Sequence, residues 1–110
     1  MPTTIIEGGT IVTDTARFRG DIIITGERIT GITTDARGIF ADERIDASGL
    51  LVLPGGIDVH THFREPDEFT KEGFTSGSAG AAAGGITTVV EMPQADPTTV
   101  TPEQFRAKRD

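Results

Sequence analysis

The chain has no cysteine, tryptophan or tyrosine. Without cysteine there is no disulfide and no thiolate ligand, so a metal site has to be built from histidine and carboxylates. Only two histidines are present to do it. Long apolar runs are also missing. None approaches the ~18 residues that a membrane-spanning helix needs, and the N-terminus lacks a charged segment followed by an apolar core. We therefore expect neither a signal peptide nor a membrane span, with the cytoplasm as default location. Positive charge is scarce: 10 Lys and Arg against 17 Asp and Glu leave a formal charge of −7. That is the wrong sign for a surface that tracks phosphates, so nucleic acid is not an expected partner. Basic residues gather at Arg106, Lys108 and Arg109, a grouping read as one solvated helix face.

Glycine is plentiful, with 14 residues in 110, and in the first half it punctuates short β-rich runs. Residues 3–7 read as a strand closed by Gly8-Gly9, and 10–13 as another closed by Asp14. Residues 20–32 hold a strand, a Gly26-Glu27 turn and a second strand alternating Ile29 and Ile32 around polar positions, which predicts a hairpin. A polar loop follows over 35–43. Residues 44–47 extend again, and Ser48-Gly49 makes a last turn. Short strands with glycine turns predict a small β-sandwich or partial barrel over 1–53. Asp14, Asp21, Glu27 and Asp46 are scattered through it and read as turn or solvated residues, so this half is assigned no chemistry.

The second half, 54–110, is patterned differently. Residues 50–53 form an apolar run of the kind expected of a strand buried on both faces in a parallel sheet. Pro54-Gly55-Gly56 interrupts it, and 57–62 extends again. Side chains on a strand alternate faces, so Asp58, His60 and His62 share one face with Thr61 opposed. Two neighbouring imidazoles at a strand end can ligate a metal ion. An isolated His-x-His recurs by chance, so its surroundings decide its weight. From Lys71 or Glu72 to Ala83, the positions Phe74, Gly77, Ser78, Ala81 and Ala82 recur at helical spacing. Internal glycines cost a helix about 1 kcal/mol each against alanine, which close packing on a sheet can offset. Gly84-Gly85 ends this helix, with Gly84 expected in the left-handed conformation. Residues 86–92 are a β-branched strand. After a loop, Thr101 as N-cap, Pro102 at the first position and Gln104 in a capping box open another helix.

Strand, helix, strand and helix in that order predict a parallel α/β architecture. In such sheets active residues gather at the carboxyl ends of the strands. His60, His62 and Arg64 lie at one such end, and Gln94 and Asp96 lie beyond the other. The exposed edge at 86–92 is expected to drive self-association.

Pro54-Gly-Gly-Ile-Asp-Val-His-Thr-His-Phe-Arg-Glu-Pro66 resembles the metal-binding signature of the cyclic amidohydrolases, the group of dihydroorotase, allantoinase and hydantoinase. Lys71-Glu-Gly-Phe-Thr-Ser-Gly-Ser78 and Ala81-Ala-Ala-Gly-Gly-Ile-Thr-Thr-Val-Val-Glu-Met-Pro93 look like the first helix and second strand of that family's barrel. The β-rich start resembles its small N-terminal domain. The resemblance implies the first two β/α units of a (β/α)8 barrel, truncated here, since such a barrel takes roughly 250 residues. It implies His60 and His62 as ligands in a centre of one or two zinc ions, where a metal-activated water attacks the carbonyl of a small cyclic amide. It implies substrate-binding roles for Arg64, which matches the position holding a substrate carboxylate in dihydroorotases, and for Gln94, where those enzymes usually carry asparagine. The bridging carboxylated lysine, two further histidines and the aspartate base of the family have no counterpart here, so no catalytic residue is assigned and the chain alone is expected to be inactive. The complete enzyme is expected to be a homo-oligomer. The competing reading is a stand-alone β-sandwich interaction module with a vestigial His-x-His segment.

Overall fold

Ten residues, Thr3–Val12, make the longest strand, β1, and the first half is assembled on its two edges. The structure is a computed structural model and describes residues 1–65, 72–94 and 96–109. It divides into two compact units, Met1–Pro54 and Gly55–Asp110.

In the first unit β1 pairs antiparallel with β2 (Arg17–Thr25), which pairs antiparallel with β3 (Arg28–Thr33) around the predicted Gly26-Glu27 turn. The other edge of β1 takes β4 (Glu43–Asp46) beside Thr4–Glu7 and β5 (Leu51–Val52) beside Thr10 and Ile11, both parallel. Three expectations are corrected here. The two strands read on either side of Gly8-Gly9 are one strand carrying a bulge between Ile6 and Gly9. Gly8 takes φ 68 there, a conformation that glycine adopts without steric cost. Of the small sandwich or partial barrel expected, the two-layer sandwich is not what forms: the strands make a single five-stranded sheet, in which β4 and β5 extend the free edge of β1. The apolar run at 50–53 belongs to this sheet and is not buried on both faces: Leu50, Leu51 and Leu53 are each more than half exposed.

Ile5, Ile11, Ile22, Ala36 and Ala47 form the buried apolar centre of this unit. Asp21, read from sequence as a turn or solvated residue, is buried with them. One carboxylate oxygen accepts the N–H of Gly8 at 2.8 Å and the other accepts the N–H of Ala36 at 2.8 Å, so a single side chain ties the bulge of β1 to the loop after β3. Asp46, read as a turn or solvated residue, is the exposed last residue of β4 and accepts the Ser48 N–H of the turn that follows. Hydrogen bonds from the side chain and N–H of Ser48 hold its carboxyl below the ordinary carboxylate value.

The second unit is a βαβ element followed by a helix. Strand β6 (Gly56–Thr61) and strand β7 (Ile86–Glu91) pair in parallel, with Asp58 beside Val89 and Thr61 beside Glu91. Helix α1 (Gly73–Ala83) connects them and packs on β7. Of the two expected starts, Lys71 lies outside the described residues and Glu72 is the N-cap. Close packing accounts for Gly77, where an added Cβ would fall 2.5 Å from the ring of the buried Phe63. It does not account for Gly80, which has nothing within 4 Å of that position. The left-handed residue after α1 is Gly85 (φ 81). Gly84 keeps φ −83 and still donates to the carbonyls of Gly80 and Ala81. Helix α2 (Pro102–Arg109) opens as its sequence predicts: Gln104 N–H donates to Thr101 Oγ1, and Gln104 Oε1 accepts from the N–H groups of Thr101 and Val100.

Candidate metal and substrate site

Alternation along β6 carries the two histidines to the same place. Their Nε2 atoms lie 3.1 Å apart, with ring centroids at 5.1 Å and planes tilted by 54°. Two nitrogens bound to one tetrahedral zinc at ~2.0–2.1 Å are separated by about 3.3 Å, so this spacing fits two corners of such a centre without rearrangement. The same distance also permits one neutral imidazole to donate to the other, which satisfies both Nε2 atoms. Asp58 turns back on its own strand, its Oδ1 accepting the N–H of His60 at 3.0 Å. No group of three or more His, Cys, Asp or Glu side chains gathers to hold a metal among the described residues.

The turn that follows β6 is held by a residue that the sequence pattern does not single out. Glu91, the last residue of β7, accepts three hydrogen bonds from the end of β6. Its Oε2 takes the Thr61 hydroxyl at 2.9 Å and the Phe63 N–H at 3.0 Å, and its Oε1 takes the Arg64 N–H at 3.2 Å. The main chain adds Met92 N–H to the Thr61 carbonyl at 2.9 Å. Phe63 is buried against Gly77 and meets Phe74 edge-on at 5.9 Å, and its carbonyl accepts the Gly73 N–H. Arg64 occupies the left-handed region at φ 56, unusual for a residue with a side chain. Glu65 is tied down as well. Its carboxylate accepts the Phe74 N–H in the first turn of α1, where the helix dipole favours negative charge. The sequence signal for this arrangement is the pairing of Thr61 with Glu91, 30 residues further on, and it becomes readable only once the register of the two strands is known.

Of the predicted site residues, His60 and His62 meet directly, and Arg64 is joined through its backbone to the end of β7. Gln94 lies exposed on the loop after that strand. Asp96, noted for its place in the same loop, is also exposed. Beneath this loop a cavity of about 290 Å³ is lined by Phe74, Met92, Pro93 and Phe105, with Glu91 and Lys108 at its wall. Lys108 corrects the expectation of a wholly solvated basic face, for its Nζ is buried and without a hydrogen-bond partner.

A parallel βαβ unit with two imidazoles in contact just past the carboxyl end of its first strand defines an α/β protein. The model of the amidohydrolase family matches residues 51–110, more than half of the chain, and the chain belongs to that family. It is 44% identical over 101 residues to the dihydroorotase of Lactobacillus johnsonii, a match covering 92% of this chain and 23% of that protein. It is also 44% identical over 108 residues to the dihydroorotase of Methanosarcina mazei, covering 98% and 24%. Among solved structures it is similar to the L-hydantoinase of Arthrobacter aurescens, with a TM-score of 0.92 and 33% identity over 98% of this chain and 24% of that one. The chain thus spans about a quarter of the length of the relatives it matches. No helix among the described residues is long and apolar enough to cross a membrane.

Proposed function

We propose that this chain supplies the first part of a zinc-dependent hydrolase that opens a small cyclic amide, of the dihydroorotase type. The observation that carries the reading is the 3.1 Å approach of His60 Nε2 to His62 Nε2 at the end of a parallel strand. In the proposal residues 1–53 are a small β domain, and 54–110 begin a (β/α)8 barrel whose other strands provide the remaining ligands and the general base. A bound zinc lowers the pKa of a water toward neutrality and so furnishes a nucleophile for an amide carbonyl. His60 and His62 hold the ion through Nε2, each as the neutral imidazole that ligation needs. Arg64, at the mouth of the same strand, offers a planar guanidinium suited to a substrate carboxylate, and Gln94 offers an amide to the polar edge of the ring. The higher identity to dihydroorotases supports a ring bearing a carboxylate, and so gives Arg64 something to bind. Because the chain provides two ligands, it is inactive by itself. The working enzyme is placed in the cytoplasm as a homo-oligomer.

A chimera tests this reading. When these 110 residues replace the matching quarter of the Lactobacillus johnsonii dihydroorotase, we expect zinc-dependent opening of dihydroorotate. His60→Ala abolishes it, and Arg64→Lys raises KM for the carboxylate-bearing ring. A chimera that binds zinc but opens only hydantoins would move the substrate class, and zinc-independent turnover would overturn the proposal.

A further inference from the structure

We infer that Glu91 is a positioning residue for the histidine pair, bracketing His62 from behind. Thr61 and Phe63 flank His62 in sequence, and both donate to the same Glu91 oxygen, at 2.9 and 3.0 Å. A residue whose two neighbours are fixed to one atom has little freedom to rotate its backbone, so its side chain is held on the opposite side, toward His60. The second Glu91 oxygen takes the Arg64 N–H at 3.2 Å. That bond falls at the residue with φ 56, a conformation that costs an L-residue roughly 1–2 kcal/mol and needs such an anchor. Glu91 is partly buried and sits on the neighbouring strand. One carboxylate thus fixes the relative position of the two strand ends at which the candidate site is built. Hydrogen bonds to an ionised acceptor are the stronger kind, and two acceptor oxygens are needed to serve three donors.

The inference rests on the proposed metal role of His60 and His62, and its test separates the two. In the 110-residue chain, amide exchange is read at Phe63 and Arg64, the ring-to-ring NOE is read between His60 and His62, and zinc affinity is measured by titration. Glu91→Ala is expected to speed exchange at both amides by about tenfold or more, as loss of a charge-assisted bond implies. It should also weaken the ring-to-ring NOE and lower zinc affinity about tenfold, as loss of a group supporting metal ligands does. Glu91→Gln keeps the shape but only one acceptor oxygen, so it should loosen one of the two amides and spare the other. That selectivity distinguishes a bracket from general loss of stability, and it remains readable if the alanine variant does not fold. Unchanged exchange at both amides in the glutamine variant overturns the inference. So does faster exchange with an unchanged ring-to-ring NOE, since the bracket then exists without positioning the histidine. If His60→Ala leaves zinc affinity unchanged, the metal reading fails, while exchange and NOE still decide the role of Glu91.

Discussion

Asp21 carries much of the first unit on two oxygen atoms. Replacing it with alanine leaves the part-buried Gly8 N–H and the buried Ala36 N–H without acceptors. Each orphaned donor costs about 1–3 kcal/mol, so Asp21→Ala should lower stability by roughly 2–6 kcal/mol in denaturant unfolding, and Asp21→Asn by less. At this scale the sequence was legible where the physics is local. Asp46 in its turn and Thr101 with Gln104 around the start of α2 are bonded within four residues of chain. It was illegible for Asp21 and Glu91, whose partners lie 13 to 30 residues away. Nothing in the neighbours of a carboxylate reveals that it will face backbone N–H groups across a sheet.

Among the elements, α1 shows how a poor helix sequence is kept. Its position over Phe63 depends on Gly77, since a Cβ there would lie 2.5 Å from the ring. Phe63 cannot readily retreat, because its N–H is bound to Glu91 and its carbonyl to Gly73. Gly77→Ala gains about 1 kcal/mol of helix propensity but overpacks a buried contact at a cost of about 1–3 kcal/mol. The expected outcome is a net loss of up to roughly 2 kcal/mol in thermal or denaturant unfolding. A stabilised variant would show that α1 can slide on the strand ends. The alternation of β6, the β-branched run of β7 and the helix between them were readable from pattern alone. The single strand through Gly8-Gly9 was not, because a bulge looks in sequence like the turn between two strands. Nor was the placement of Leu51–Val52, where an apolar run chose the free edge of β1. Apolar composition says that a strand forms and leaves open which sheet receives it.

For the whole molecule, the second unit is a two-stranded parallel sheet whose apolar residues remain accessible: Ile57 and Val59 are 64% and 67% exposed. Open strand edges beside such side chains recruit other chains, so the 110-residue chain should self-associate, with a light-scattering mass that rises with concentration. A monodisperse monomer would mean that these edges are covered. In the proposed function the site is incomplete in the same way. Two imidazoles 3.1 Å apart suit a metal, and no third ligand joins them among the described residues. Four-ligand structural zinc sites bind with about 10–16 kcal/mol, so a pair holding half the ligands should retain roughly 5–8 kcal/mol, a Kd on the order of 1–200 µM.

The most direct test is a calorimetric zinc titration of this chain beside its His60→Ala and His62→Ala variants. One weak site in that micromolar range, lost in either variant, is the expected result. Nanomolar binding, or binding indifferent to both substitutions, would contradict it.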